Sequence, residues 1–201
     1  APVPGAAQTP GAVSAAVKAG PVTLTPGGFV ELMVVNRSRN EASDWGSSYN
    51  AAIPFPQSPN YQLSEFHLTA RQSRWQVLFE GPADPARSVW GYLEGDFGAA
   101  PSNGNNNEGT GFSPRLRHYF ADYERRDGGW YLLFGQTWSL LTGNKSGITP
   151  RQEQIPLTID GQYVPGFNWT RVPQLRLVKT FGSSAALGVS IENPAMLLTA
   201  A

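Results

Sequence analysis

The sequence predicts an all-β protein, an antiparallel meander of the kind that forms part of a transmembrane β-barrel. Three observations predict it. With 22 glycines, 17 prolines and only 15% charged residues, the composition favours strands and turns over helices. Seven runs are enriched in aromatic or β-branched residues and show partial period-two alternation. The gaps between those runs alternate between long and short without exception.

The runs are 28–36 (GFVELMVVN), 64–80 (SEFHLTARQSRWQVLFE), 88–97 (SVWGYLEGDF), 115–125 (RLRHYFADYER), 130–141 (WYLLFGQTWSLL), 170–181 (TRVPQLRLVKTF) and 184–192 (SAALGVSIE). Residues 37–63 make a long connection, 81–87 a short one, 98–114 a long one and 126–129 (RDGG) a tight turn. Then 142–169 is long and 182–183 (GS) tight. In a soluble sandwich both ends meet the same solvent, so loop lengths have no reason to keep a rhythm. An outer-membrane barrel carries short periplasmic turns at one end and longer extracellular loops at the other. The runs also reach the ~9–11 residues that a tilted membrane strand needs, against ~5–6 for a typical soluble strand. Because bacterial barrels use even strand numbers, seven runs imply an unclosed sheet with one bare edge.

Three regions follow. Residues 1–27 are rich in Ala, Pro and Gly, carry one charge (Lys18) and read as a flexible periplasmic arm. Residues 28–192 form the partial barrel, and 193–201 (NPAMLLTAA) a truncated end or loop. With Lys plus Arg equal to Asp plus Glu at 15 each, net charge argues for no nucleic-acid partner. The absence of cysteine excludes disulfides and thiolate metal sites. No run approaches the ~20 apolar residues of a membrane helix, which leaves a barrel open.

Alternation defines two faces. Pro173, Leu175 and Leu177 oppose Gln174 and Arg176, and Val89, Leu93 and Phe97 oppose Tyr92, Glu94 and Asp96. A half-buried soluble sheet would write the same pattern, so charge placement is the stronger signal. Arg71, Arg74, Arg115, Arg117, Arg171 and Arg176 sit within strands, with Glu94, Asp96, Asp122 and Glu124 on neighbouring ones. On the lipid side such charges would cost ~2–4 kcal/mol each at the midplane. They are therefore expected to line an aqueous lumen, where opposed charges shape the field. In 64–80, Leu68 and Ala70 hold one parity while Trp75, Val77 and Phe79 hold the other. One extra residue within 71–74, a β-bulge, would restore a single apolar face and turn both Arg71 and Arg74 inward. Trp130 and Trp138 are spaced for two aromatic girdles, although Gln136 shares their parity and leaves the face of that strand open.

The phrases ARQSRWQVLFEGP, VWGYLEGDF, SPRLRHYFADY, LLFGQTWS and RVPQLRLVKT, in this order over 64–180, resemble the N-terminal half of DcaP-like Gram-negative outer-membrane porins. The resemblance implies a homotrimeric channel in the outer-membrane lipid that passes small, often anionic, solutes without cofactor or chemical step. It further implies that Arg71, Arg74, Arg115, Arg117 and Arg176 contribute to a basic pore wall and Glu94 and Asp96 to an acidic one. The chain departs from the pattern at its C-terminus, which lacks the terminal aromatic, and in its Pro-broken arm, which has no coiled-coil character.

Other readings are weaker. His67 and His118 are the only histidines and suit strand or pore positions better than a metal site, so no metal is assigned. No nucleophilic triad or phosphate loop occurs. Glu94 and Asp96 as a glycosidase pair have a ~7 Å Cα spacing that decides nothing. The alternative to a porin is a soluble β-sandwich carbohydrate-binding module using Trp45, Trp90 or Trp169 as platforms, with a glycanase on the same sandwich behind it.

Overall fold

A computed structural model describes residues 15–39, 56, 57, 59, 61–99, 113–142, 148 and 170–193. Among these residues ten strands form in chain order: β1 (Val17–Ala19), β2 (Val22–Phe29), β3 (Met33–Arg37), β4 (Glu65–Thr69), β5 (Arg74–Glu80), β6 (Arg87–Ala99), β7 (Ser113–Arg125), β8 (Trp130–Trp138), β9 (Arg171–Phe181) and β10 (Ala185–Glu192). Eight build one antiparallel sheet in the order β1-β2-β5-β6-β7-β8-β9-β10, and β3 pairs with β4 in a second, two-stranded sheet. This is an unclosed meander.

The connections keep the expected rhythm and add one. Between β1 and β2 lie only Gly20 and Pro21, so short turns at 20–21, 81–86, 126–129 and 182–184 share one end of the sheet. The long connections 38–64, 100–112 and 139–170 share the other, and most of their residues lie outside those described.

The arm requires correction. Residues 17–19 and 22–29 are a hairpin on the sheet edge, paired from Val17 with Leu24 to Ala19 with Val22. Pro26 is accommodated because, among the described residues, β1 covers only Val22 to Leu24 and leaves the rest of β2 paired on one side. Residues 1–14 and 194–201 fall outside the described part. The described sheet has two bare edges rather than one, at β1 and β10.

The break between β4 and β5 adds one residue. Met33 pairs with Thr69 and Phe29 pairs with Arg74, so four residues (70–73) face three (30–32). The extra residue is accommodated in a turn, with Ser73 N donating to Ala70 O at 3.0 Å. Buried Ser73 stands in for the lost ladder bonds: its Oγ accepts from Glu31 N at 3.1 Å and donates to Glu31 O at 3.3 Å. Parity changes across it. Phe66 and Leu68 are exposed before the turn, while after it Gln76 joins the face of Tyr92 and leaves Trp75, Val77 and Phe79 on the other.

A second extra residue sits in β7. Glu94 pairs with His118 but Gly95 pairs with Leu116, so Arg117 has no opposite residue in β6. Before it, Leu116 is exposed; after it, Tyr119 and Tyr123 are. The insertion keeps these apolar side chains on one face while Arg117 and His118, adjacent in sequence, are both buried on the other.

One face is continuously apolar. Across the strands, Val89, Tyr123, Leu132, Leu177 and Val189 fall in one row, and Leu24, Phe79, Gly91, Ala121, Phe134, Leu175 and Ile191 in the next. On β6 to β10 their large members are exposed, from 38% for Leu132 to 75% for Ile191, while Leu24 and Phe79 are half-buried. The Trp75 ring occupies the space a Cβ would take at Gly95, so an aromatic covers a strand glycine. Gln136 also belongs to this face, which answers the question its parity raised. Its amide accepts from Tyr119 Oη at 3.0 Å and donates to Arg117 O, at the extra residue, at 3.3 Å. Trp138 does not join Trp130 in a girdle; it is buried, edge-on to His118 at 5.7 Å.

Gly135 marks the tightest approach of β7 and β8. Its φ is +124°, and a Cβ there would lie 2.4 Å from Tyr119 O and 2.6 Å from Phe120 Cα. Gly91, by contrast, would place a Cβ at ordinary distances of 3.5 Å and beyond. Gly135→Ala should therefore destabilise the sheet by about 2 kcal/mol or more, whereas Gly91→Ala should lie within about 0.5 kcal/mol of neutral. Urea unfolding of both variants side by side checks this.

Candidate functional site

The other face holds the charge. In β6, Tyr92, Glu94 and Asp96 share a parity and are all buried. The register of β7 brings Arg115 opposite Asp96, and the extra residue lets Arg117 reach both carboxylates. Arg115 grips Asp96 with two bonds, Nε to Oδ1 at 2.9 Å and Nη2 to Oδ2 at 2.6 Å. Arg117 bridges, Nε to Glu94 Oε1 at 2.8 Å and Nη1 to Asp96 Oδ2 at 2.8 Å. Gly98 N adds a bond to Asp96 Oδ1 at 2.9 Å.

The ladder extends sideways. Arg74 on β5 approaches Glu94 at 3.8 Å, and the Tyr92 hydroxyl lies between Gln76 Oε1 at 2.6 Å and Glu94 Oε2 at 2.8 Å. On the β8 side, His118 Nδ1 meets Thr137 Oγ1 at 3.0 Å, and its Nε2 lies 3.9 Å from Glu94. Arg171 places its guanidinium 4.5 Å from the Trp138 ring centre. Below the ladder, towards the short turns, Tyr92, Phe120 and Leu133 form a small apolar cluster with Leu78 and Trp90. Such a base limits how far the charged side chains can swing.

Six of the seven predicted residues are thus placed on or near one patch. Glu94, Asp96, Arg74, Arg115 and Arg117 form the network, and Arg71 lies beside it, its Nη2 donating to Ala99 O at 3.3 Å. Within this patch acid and base alternate on adjacent strands and pair with one another. Arg176 is elsewhere. It is 1% exposed, bound to Gln174 Oε1 at 2.8 Å, to Trp138 O and to Ile148 O at 3.1 Å, and so ties the end of β8 to residue 148.

Sequence reasoning missed Gln76, Tyr92 and His118 as members, whereas Arg171 was already expected on the lumen face. Tyr92 was findable, since it lies two positions from Glu94 on the same strand face. Gln76 and His118 reach Glu94 only through strand register, which a single sequence does not display. Asp122 keeps the predicted face but joins no pair; its oxygens are buried without a hydrogen bond among the described residues, in a row with Trp90, Leu133 and Arg176. The two histidines lie on different sheets, with His67 3.8 Å from Glu65. Of the three tryptophans considered as sugar platforms, Trp90 is half-buried against Phe120 and bonded to Glu124, while Trp45 and Trp169 lie outside the described residues.

An unclosed meander with tight turns at one end, an exposed apolar face and an ionic opposite face defines a partial outer-membrane-type β-barrel. A solved structure agrees: the outer-membrane channel DcaP of Acinetobacter baumannii matches with a TM-score of 0.60 and 26% identity. The match covers 85% of this chain and 41% of that one, so the chain spans less than half the length of that channel. Similarity in fold and in sequence phrases points the same way, and this neighbour is a channel rather than an enzyme. No family model and no curated protein matches the chain.

Arg117 has little exposed side-chain area and serves two carboxylates, while Arg115 is one-third exposed and serves one. Removing one member of a buried pair strands its partner. Arg117→Met should thus cost about 3 kcal/mol, and Arg115→Met about 1 kcal/mol because solvent screens it. Equal losses in chemical unfolding would refute the bridging role.

Proposed function

We propose that this sheet is part of the wall of a passive diffusion channel in a bacterial outer membrane. Its apolar face meets lipid and its ionic face lines a water-filled lumen that admits small hydrophilic solutes. The observation that carries the reading is the exposed apolar band, unbroken over adjacent strands, directly behind a buried ionic ladder. A sandwich module would instead cover that band with a second layer. The DcaP-like resemblance supports a homotrimer and a solute range that includes anions.

Selectivity follows from the charge count. Among the described residues, Arg71, Arg74, Arg115, Arg117 and Arg171 gather around two carboxylates, Glu94 and Asp96. The excess of guanidinium favours anions, and the carboxylates hold the bases in place rather than forming an opposing wall. Transport needs no bond to be made or broken, no cofactor and no metal.

In planar bilayers under a salt gradient, the intact protein should show a reversal potential of anion-selective sign. Replacing Arg115 and Arg117 by Ser should shift it towards the cation side. Glu94→Gln should move it the opposite way. A reversal potential unchanged by all three substitutions would remove these residues from the pore wall.

A further inference from the structure

The apolar face ends abruptly towards the short turns. The row beyond Val89, Tyr123, Leu132, Leu177 and Val189 reads Arg87, Arg125, Trp130, Lys179 and Leu187 across β6 to β10. Of four successive strands in this row, β6, β7 and β9 present a cation and β8, between the last two, an indole. All are on the apolar parity, not the ionic one. Arg87 and Arg125 are exposed, and Trp130 is 41% exposed.

Internal contacts hold these groups in place without consuming them. Lys179 lies 5.1 Å from the Trp130 ring centre and 5.7 Å from that of Phe181, with one ammonium proton given to Gly128 O. An ammonium has three donors, so two remain. Arg125 is held by Asp127, Nε to Oδ1 at 3.0 Å and Nη2 to Oδ2 at 3.4 Å, while its side chain stays 56% exposed.

We propose that this row is a binding site for anionic phospholipid headgroups, with Lys179 and Arg125 on the phosphate and Trp130 at the boundary between headgroup and acyl chain. The inference rests on the membrane reading above. A cation one row below two wholly apolar rows stands at the depth where hydrocarbon gives way to phosphate, and the cations supply the complementary sign. Stacking on Trp130 and Phe181 pre-orders Lys179, so little side-chain freedom is lost on binding. The Asp127 carboxylate, lowered in pKa by its Arg125 hydrogen bond, stays ionised and fixes the guanidinium plane.

The test uses vesicles of brominated phosphatidylglycerol or brominated phosphatidylcholine and reads the quenching contributed by Trp130, taken as the difference between the protein and its Trp130→Phe variant. The corresponding Trp75→Phe difference, from four rows further along the apolar face, reports insertion in every sample. Phosphatidylglycerol should be preferred severalfold at low salt. Lys179→Gln should lower the preference by roughly fivefold, Lys179→Gln with Arg125→Gln should abolish it, and Lys179→Arg should keep it. Equal quenching by both lipids, or a preference untouched in the double variant, overturns the headgroup site while leaving the membrane reading intact. Absence of quenching at both Trp75 and Trp130 overturns the membrane reading itself, and the site with it.

Discussion

Side chains on a strand alternate strictly, so a one-layer sheet between two unlike media must keep its parity in order along every strand. A slip of one residue would put arginine where leucine belongs. Everything else in this structure depends on that constraint. Where the ionic residues would break the alternation, the backbone inserts one residue, at 70–73 and again at Arg117. Each insertion leaves polar backbone groups outside the ladder, and each is satisfied locally, by Ser73 in the first case and by Gln136 in the second. A glutamine on an apolar face looks like an error in sequence; bound to the carbonyl of the inserted residue, it completes the bulge.

The ladder of Glu94, Asp96, Arg115 and Arg117 gains its order from adjacency. Ions taken partly out of water cost free energy, and only good geometry with saturated hydrogen bonds offsets that cost. The two-point grip of Arg115 on Asp96 and the bridge made by Arg117 supply such geometry. Carboxylates in this setting act as scaffolds for guanidinium groups. The paired arrangement gathers these groups into one dense, net basic patch above a small apolar cluster.

Much of this was legible in the residues. The seven runs correspond to the strands β3 to β10, with β4 and β5 sharing one run, and the rhythm of connections placed the short turns between them at one end. The parity flip between Leu68 and Trp75 announced the extra residue between β4 and β5. A similar flip between Leu116 and Tyr119 was equally readable and was passed over, because Arg115 and Arg117 looked regular by themselves. The β1–β2 hairpin was hidden by the Ala, Pro and Gly content of residues 1–27, which reads as an arm unless Pro26 is known to sit where β2 is paired on one side only. Arg176 was misplaced because parity gives a face but not a neighbour: it shares the ionic face yet spends its donors on carbonyls at the end of β8. Pairing across strands, as for Gln76 with Glu94, is a property of register and absent from any one segment.

The absence of cysteine allows single nitroxide labels without background. The decisive measurement is electron paramagnetic resonance accessibility in bilayers, with labels at Phe134, Leu175 and Leu177 on one face and Gln76, Arg115 and Tyr131 on the other. Molecular oxygen, which concentrates in lipid, should relax the first set preferentially, and a water-soluble nickel chelate the second. If the nickel chelate reached Phe134, Leu175 and Leu177 as readily as Arg115, the apolar face would not be in a membrane.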